Sequence, residues 1–561
     1  MATFLSLLRS SQPTPTAQPR RWIFVLCDQL SDQIGPLAHR DPSTVGIVLV
    51  ENRQKARRRP YHQQKLALIL ANQRHFALEQ ARRGVAVRYV FGDAPYAQLL
   101  APVIAEVGTL TVMRPAEREA RSDLAPLIAD GRMEEIPHEG WLTSVDDFLQ
   151  GAGRKTPWRM DRFYQHVRRR SGILMTAEGK PVGGRYSFDG DNRRAWRGDP
   201  KAPTPPQFDT TDPVKQEVAT LIATHYADHP GTVSLANLPA TAEDARRLWA
   251  WALAECMTHF GPYEDAMSRN SRGLFHTRIS SLLNIHRLLP AAVVQDVASL
   301  DVPINSKEGF IRQVLGWREF VHHVHEQTDG FRDLDGVTSA QTPGDGGFSQ
   351  WSGQPWPGRA GDGGACPNHL NATNPLPAAW WGKPSGLACL DHVVAALWDD
   401  GWTHHIPRLM ILSNIAMLLD VSPRELADWF WVAYTDAYDW VVEPNVLSMG
   451  TFSTGPLMTT KPYAAGGAYI NRMSDHCKDC AFNPRKNCPI TSLYWQFLAR
   501  NESKLEGIFR MKPLLRNLQR RSAEQHAADA KTTEALQAAL RQGIPFAPDT
   551  ADADPQTGLP L

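Results

Sequence analysis

A change of period divides this chain. From Trp22 to Met113 it runs in short β-branched bursts, WIFVLC (Trp22 to Cys27), GIVLVE (Gly46 to Glu51), VAVRYV (Val85 to Val90) and TLTVM (Thr109 to Met113). Between the second and third, Leu66, Leu70, Phe76 and Leu78 lie among polar residues at roughly helical spacing until Gly84. Strands alternating with helices imply a parallel, Rossmann-like α/β domain over residues 21–150. No GxGxxG follows the first strand, so ordinary dinucleotide binding is not supported there. From Thr241 to about Arg520 apolar residues recur three and four apart, as in ARRLWAWALAECMTHF, RISSLLNIHRLL and LDHVVAALWD. This predicts a mostly α-helical C-terminal domain over 246–522, interrupted by a long Gly/Pro-rich surface loop from Thr342 to Pro377.

With 561 residues the chain is too long for one core. Residues 1–20 read as a disordered tail, 151–245 as a basic connector, and 523–561 as a polar helix followed by a tail. A formal net charge of +1 attracts no polyanion by itself, so any nucleic-acid surface must come from local patches. The connector offers one in GRKTPWRMDRFYQHVRRRSG, where seven Lys/Arg surround Trp158, Phe163 and Tyr164. Such a mixture suits phosphate pairing with base stacking, or equally a charged linker draped over two domains. The run Arg53, Lys55, Arg57, Arg58, Arg59 reads as a solvated loop. No apolar run reaches about 18 residues and Leu5 to Leu8 is too short for a secretory core. A cytoplasmic monomer without membrane attachment is expected.

Seven cysteines, few and unevenly placed, argue against a disulfide framework. Cys477-x-x-Cys480 followed by Cys488 puts three soft ligands close together, so a fourth from Cys389 or Cys366 would complete a metal centre. Softness alone leaves structural zinc and a [4Fe-4S] cluster both open. Cys27 and Cys256 lie in apolar periodic runs and read as core.

The segment Gly401 to Trp440 holds the pair His404 and His405 and four of the 17 Trp. In SPRELADWFWVAY, Ser422 and Glu425 have capping-box spacing with Pro423 at the first helical position. Upstream, GLFHTRISSLLNIHRLLP sets His276, Thr277, Arg278 and Ser280 before an apolar helix, where hydroxyls and amides can meet a phosphate.

Taken together, YEDAMSRNSRGLFHTRISSLLNIHRLLP, IRQVLGWREF, THHIPRLMILSN, KPYAAGGAYINRMSDHCKDC and LYWQFLARN resemble the photolyase and cryptochrome superfamily. DQLSDQI and the helix with NQRHF match more loosely. Within the superfamily the chain is similar to the prokaryotic iron-sulfur branch that includes six-four photolyases, over residues 22 to 505.

The resemblance implies a fold of an α/β domain plus an α-helical FAD-binding domain. It also implies light-driven repair of (6-4) photoproducts in DNA, with blue-light signalling by the same cofactors as the alternative. His276, Thr277, Ile279, Ser280, Gln313, Trp317, Arg408, Asn414, Asp436 and Asn445 match the FAD site, and Cys389, Cys477, Cys480 and Cys488 the [4Fe-4S] ligands. His404 and His405 match the pair that faces a lesion flipped out of damaged DNA, with Asp265 and Tyr463 lining the same pocket. His405 is the implied proton donor, because imidazole titrates near neutrality. Trp429 and Trp381 match electron-relay positions, with Trp431, Trp380 or another neighbour as a further carrier. A 6,7-dimethyl-8-ribityllumazine antenna is implied in the N-terminal domain, with Glu51 at a contact position. Two departures stand out. Phe430 replaces an oxidisable tyrosine, and Val442 replaces an acid near the flavin, with Glu443 displaced by one residue and so turned about 100° on a helix.

Overall fold

The computed structural model describes residues 3–14, 19–334, 339–342 (backbone only), 345–357 and 364–548. Five parallel strands, β1 (Arg21–Phe24), β2 (Val45–Asn52), β3 (Ala86–Gly92), β4 (Leu110–Met113) and β5 (Met133–Ile136), form one sheet in the order β3-β2-β1-β4-β5. β1 pairs with both β2 and β4, so the order reverses there and a crevice opens beyond its carboxyl end. β5 has the sequence MEEI, and its two glutamates hide it from a hydrophobic pattern.

The helix Gln63–Arg82 is buried on nearly every side, sixteen of its twenty residues, because it lies between the sheet and the helical domain. Its polar side chains are satisfied across that junction. Lys65 Nζ donates to the carbonyls of Trp431 (2.8 Å) and Ala437 (2.6 Å), and Asn72 to that of Pro239 (2.9 Å).

Three expectations change. Residues Phe4–Ser11, read as tail, form a helix capped by Thr3 that buries Phe4 and Leu8. Phe4 meets Tyr89 edge-on, and the Arg74 guanidinium lies over its ring. In the connector, Phe163 and Tyr164 turn inward from the helix Met160–Ser171 and Trp158, just before it, packs on Phe148, so none is free to stack on a base. The run from Arg53 is no solvated loop either. Arg58 and Arg59 both pair with Glu119 at 2.8 Å, Lys55 pairs with Glu117, and Arg59 is buried.

The C-terminal part is helical to Gln542, where the helix Ala523–Gln542 ends in a left-handed glycine. Within the expected loop, β6 (Ser339–Thr342) pairs antiparallel with β7 (Gly364–Pro367), and a short helix covers Phe348–Ser352. Gly364 approaches Arg424 so closely that a Cβ there would lie 2.1 Å from the guanidinium. Among the described residues, four segments wind as π-turns: Ala252–Cys256, Arg312–Arg318, Pro407–Ser413 and Pro444–Gly450. Three of them carry expected flavin-site residues, in keeping with the frequency of π-bulges at functional sites. No helix among the described residues is long and apolar enough to cross a membrane.

Candidate functional site

The cysteines resolve into one centre. Cys389 is in the first turn of the helix Ala388–Asp400, Cys477 lies within the turn His476–Asp479 with Cys480 just after it, and Cys488 is the residue before the helix Pro489–Arg500. All four are free thiols lining one small cavity whose walls include Leu387, Ile470, Phe482 and Ile490. Gly467 shapes the cradle, since a Cβ there would stand 2.6 Å from Cys488 Sγ. Burial, then the nearby thiols, raises Cys389 well above its usual range and Cys477 to about 12. Four thiols in an apolar cradle match the donor set of a tetrathiolate metal centre, whose cation would hold them ionised. Cys366 sits in β7 and does not line the cavity.

Two of the expected flavin residues, Ser280 and Arg408, meet at Asp436. Arg408 forks onto both its oxygens at 2.9 Å, and Ser280 Oγ donates to it at 2.6 Å. Burial alone would raise the Asp436 carboxyl, but Arg408 and these bonds outweigh it and hold it below the usual range. Arg408 also donates to the carbonyl of Thr403 and lies 4.0 Å over the Tyr434 ring. Trp317 Nε1 donates to Asn445 Oδ1 (2.9 Å), Gln313 to Glu264 (2.9 Å), and Asn414 exchanges two bonds with the backbone of Ala465. Thr277 and Ile279 are buried and flank Arg278, whose φ of +57° places a non-glycine residue in the left-handed region. Such strain persists only where the surroundings enforce it. Hydroxyls, amides and one neutralised ion pair thus provide hydrogen-bond donors and acceptors along these segments.

Beside this wall stand three histidines. His404 stacks on His276, and His405 meets His276 edge-on with centroids 5.3 Å apart. One ring nitrogen from each lies within 4.8 Å of the others. Burial, followed by the other imidazoles, pushes His276 and His404 well below the usual range and keeps both neutral at pH 7. His405 is lowered too, first by the protein packed around it, although its side chain stays 43% exposed. Its Nε2 is 4.0 Å from Asp265, which burial and then the charges of Glu264 and Asp189 raise to about 7. Tyr463, 39% exposed, shares with Asp265 the charges of Asp189, Arg193 and Arg312.

The aromatic residues separate into two groups. Trp429 and Trp381 are both buried, with Trp398 between them. Trp431 is not part of that group. It faces the N-terminal domain, with the Arg59 guanidinium 3.8 Å over its ring. Phe430 stacks on Tyr434. The capping box does not form, because Glu425 accepts instead from the amide of Leu376 at 2.8 Å. Val442 is buried, and Glu443 turns aside to accept from Arg424 (2.6 Å) and His325 (2.9 Å). Glu51 is locked by Arg74 in two bonds of 3.0 Å and by Tyr89, and does not line the nearby cavity of about 70 Å³ beside Asn52, Lys55 and Tyr96.

Sequence reading missed Trp398 and Glu264. Trp398 lies in an amphipathic helix where it read as core, and Glu264 became visible only once Gln313 and Asn192 were seen to donate to it.

Residues 23–237 match the family model described as deoxyribodipyrimidine photo-lyase-related protein. A (6-4) photolyase of Agrobacterium fabrum is 32% identical over 508 residues, covering 87% of this chain and 93% of that protein. An uncharacterized protein of Acanthamoeba polyphaga mimivirus is 37% identical over 98 residues, 18% of this chain and 76% of its own. Among solved structures, a bacterial class III photolyase from Agrobacterium tumefaciens superposes with a TM-score of 0.52 at 17% identity, covering 94% of this chain and 99% of that one.

Proposed function

The chain belongs to the deoxyribodipyrimidine photolyase-related family, and from that premise we propose that it is a light-driven, FAD-dependent lyase that restores (6-4) pyrimidine-pyrimidone photoproducts in damaged DNA. One observation carries this reading: two buried neutral imidazoles beside one exposed imidazole that has a carboxyl group raised to about 7 within 4.0 Å. Undoing a (6-4) bond returns a hydroxyl from one pyrimidine to the other, which requires a proton donor and acceptor at the lesion. His405 is exposed where a flipped base would arrive, and Asp265 can hold or release a proton near neutrality. His404 and His276 buttress it by packing and, being neutral, do not compete for its charge. FAD would supply the photoexcited electron and take it back. Arg408, Asp436, Ser280, Trp317 and Asn445 would hold it, and the four cysteines would hold a [4Fe-4S] cluster.

The lumazine antenna fits less well. Glu51, the expected contact, turns to Arg74 and Tyr89 and does not line the cavity beside Asn52, Lys55 and Tyr96. A second reading, a blue-light receptor with little repair, draws on Val442, because no acid replaces it. Glu443 is committed to Arg424 and His325.

The test is irradiation of the FAD-loaded, reduced protein with oligonucleotides carrying a (6-4) or a cyclobutane lesion. Restored thymines from the (6-4) substrate alone are expected. No turnover together with intact flavin photoreduction would favour the receptor.

A further inference from the structure

The end of the chain reaches the cradle of the four thiols. The helix Ala523–Gln542 buries Leu536 and Leu540 and lies against the helix Pro489–Arg500, which begins just after Cys488. Gln496 of that helix donates to the carbonyl of His526 at 3.1 Å. Gly543, at φ +67°, turns the chain out of the C-terminal helix, and the amide of Ile544 bonds back to the carbonyl of Ala539 at 3.0 Å. From Ile544 to Pro548 the chain runs as neither helix nor strand, with Pro545 and Pro548 restricting its backbone.

Phe546 is the point of contact. Its amide donates to the carbonyl of Ser385 at 2.9 Å, and its ring stacks on Phe482, centroids 5.6 Å apart and planes 13° from parallel. Its backbone passes so close to Gly386 that a Cβ there would lie 2.0 Å from the Phe546 carbonyl oxygen. Glycine alone admits this approach, and its φ of +81° disfavours a side chain as well.

The two partners of Phe546 belong to different limbs of the cradle. Ser385 and Gly386 lead through Leu387, which lines the thiol cavity, into Cys389. Phe482 lines the same cavity from the loop between Cys480 and Cys488. We propose that residues 543–548 form a strap that ties the limb carrying Cys389 to the loop between Cys480 and Cys488, and thereby governs how fast the thiol centre gives up its metal. The proposal rests on the tetrathiolate reading given above.

Two features give the strap this leverage. Asn483 exchanges hydrogen bonds with Arg485, Lys486, Asn487 and Cys488, so the loop is knitted to itself, and Phe482, only 4% exposed, is its apolar anchor. Phe546 covers that anchor. The hold of the strap is also concentrated in one ring, because Phe546 is half-buried whereas Ile544 is 52% exposed. A chain end held by so few buried groups opens at low free energy without unfolding the helix before it. Release of one ring therefore loosens both limbs at once.

The test uses the full chain purified under argon, with circular dichroism compared among variants. Iron and acid-labile sulfide per chain should be equal in the wild type and Phe546→Ala. Release of iron to a strong chelator under argon should be roughly tenfold faster in Phe546→Ala, the factor expected when about half of a buried phenyl ring's transfer free energy is lost. A chain ending at Gly543 should release iron as fast. So should Gly386→Ala, which displaces the strap from its other side. Phe546→Tyr, which keeps the ring, and Ile544→Ser should both stay close to the wild type. Release from Phe546→Ala and from the shortened chain at the wild-type rate would overturn the strap. If the centre holds zinc, transfer to a chromophoric chelator is the measure, and an unchanged rate overturns the strap in the same way. A wild type with neither iron nor zinc would sink the tetrathiolate reading. Alkylation of the four thiols by iodoacetamide would then decide the strap, being faster in Phe546→Ala if it holds and unchanged if it does not.

Discussion

His404 lies flat on His276, ring centroids 4.1 Å apart and planes 12° from parallel. The stack places two neutral rings behind His405 and leaves His405 as the member that meets solvent.

Replacing His405 with Ala should therefore abolish (6-4) repair, by about 10²–10⁴-fold as for loss of a general acid, while FAD stays bound. Repair per photon and flavin absorbance, measured on the same preparation, check this. Unchanged repair would remove His405 from the chemistry.

Asp265 gives a pH signature. Its carboxyl rises from the ordinary 3.8 to about 7, chiefly through burial, so the folded state binds more protons than the unfolded state between those values. Stability should decline as pH rises from about 4 to about 7 and flatten above. Asp265→Asn should remove that part of the slope. Denaturant titrations of both proteins at several pH values measure it.

Glu443 works with the opposite sign. Burial alone would raise it, but His325 and Arg424 hold it at about 2 against an ordinary 4.5, so its contribution is complete above about pH 4.5 and lost as pH falls through about 2. Glu443→Ala leaves Arg424 with Asp428 as its one charged partner among the described residues and should cost about 3–5 kcal/mol, read as a lower urea midpoint at neutral pH. A shift within error would mean the buried network relaxes around the loss.

Gly467→Ala should deplete the thiol-bound centre. Its Cβ would intrude on Cys488 Sγ, so iron and acid-labile sulfide per chain should fall, whereas Cys366→Ser should leave both unchanged. Equal iron in Gly467→Ala would show that the cradle yields.

Much of this was legible in the chain itself. The change of period announced the sheet and the helical domain, and the motifs led to Asp436, the histidines and the four cysteines. What escaped was decided by partners remote in sequence. Glu425 fits a capping box by spacing but is taken by Leu376, and Trp158 reads as a stacking residue until Phe148 is seen to pack on it. Phe4 lies in a stretch without pattern, yet its amide donates to Glu217 and its ring is covered by Arg74. Trp398 was indistinguishable from ordinary core until the rings on either side of it were placed.

The helix Gln63–Arg82 has a consequence for modularity. Its sequence belongs to the first half of the chain, but Lys65, Asn72 and Arg287 with Glu79 tie it to the second, and one apolar core runs without a break from Phe4 to Leu540. The lobes are thus not interchangeable cassettes. A cut near residue 150 would strand a buried ammonium and amide on the first fragment and their carbonyl partners, with the Arg287 guanidinium, on the second, so neither half is expected to fold by itself, and recombination between relatives should succeed only where this helix and its carbonyl partners are inherited together.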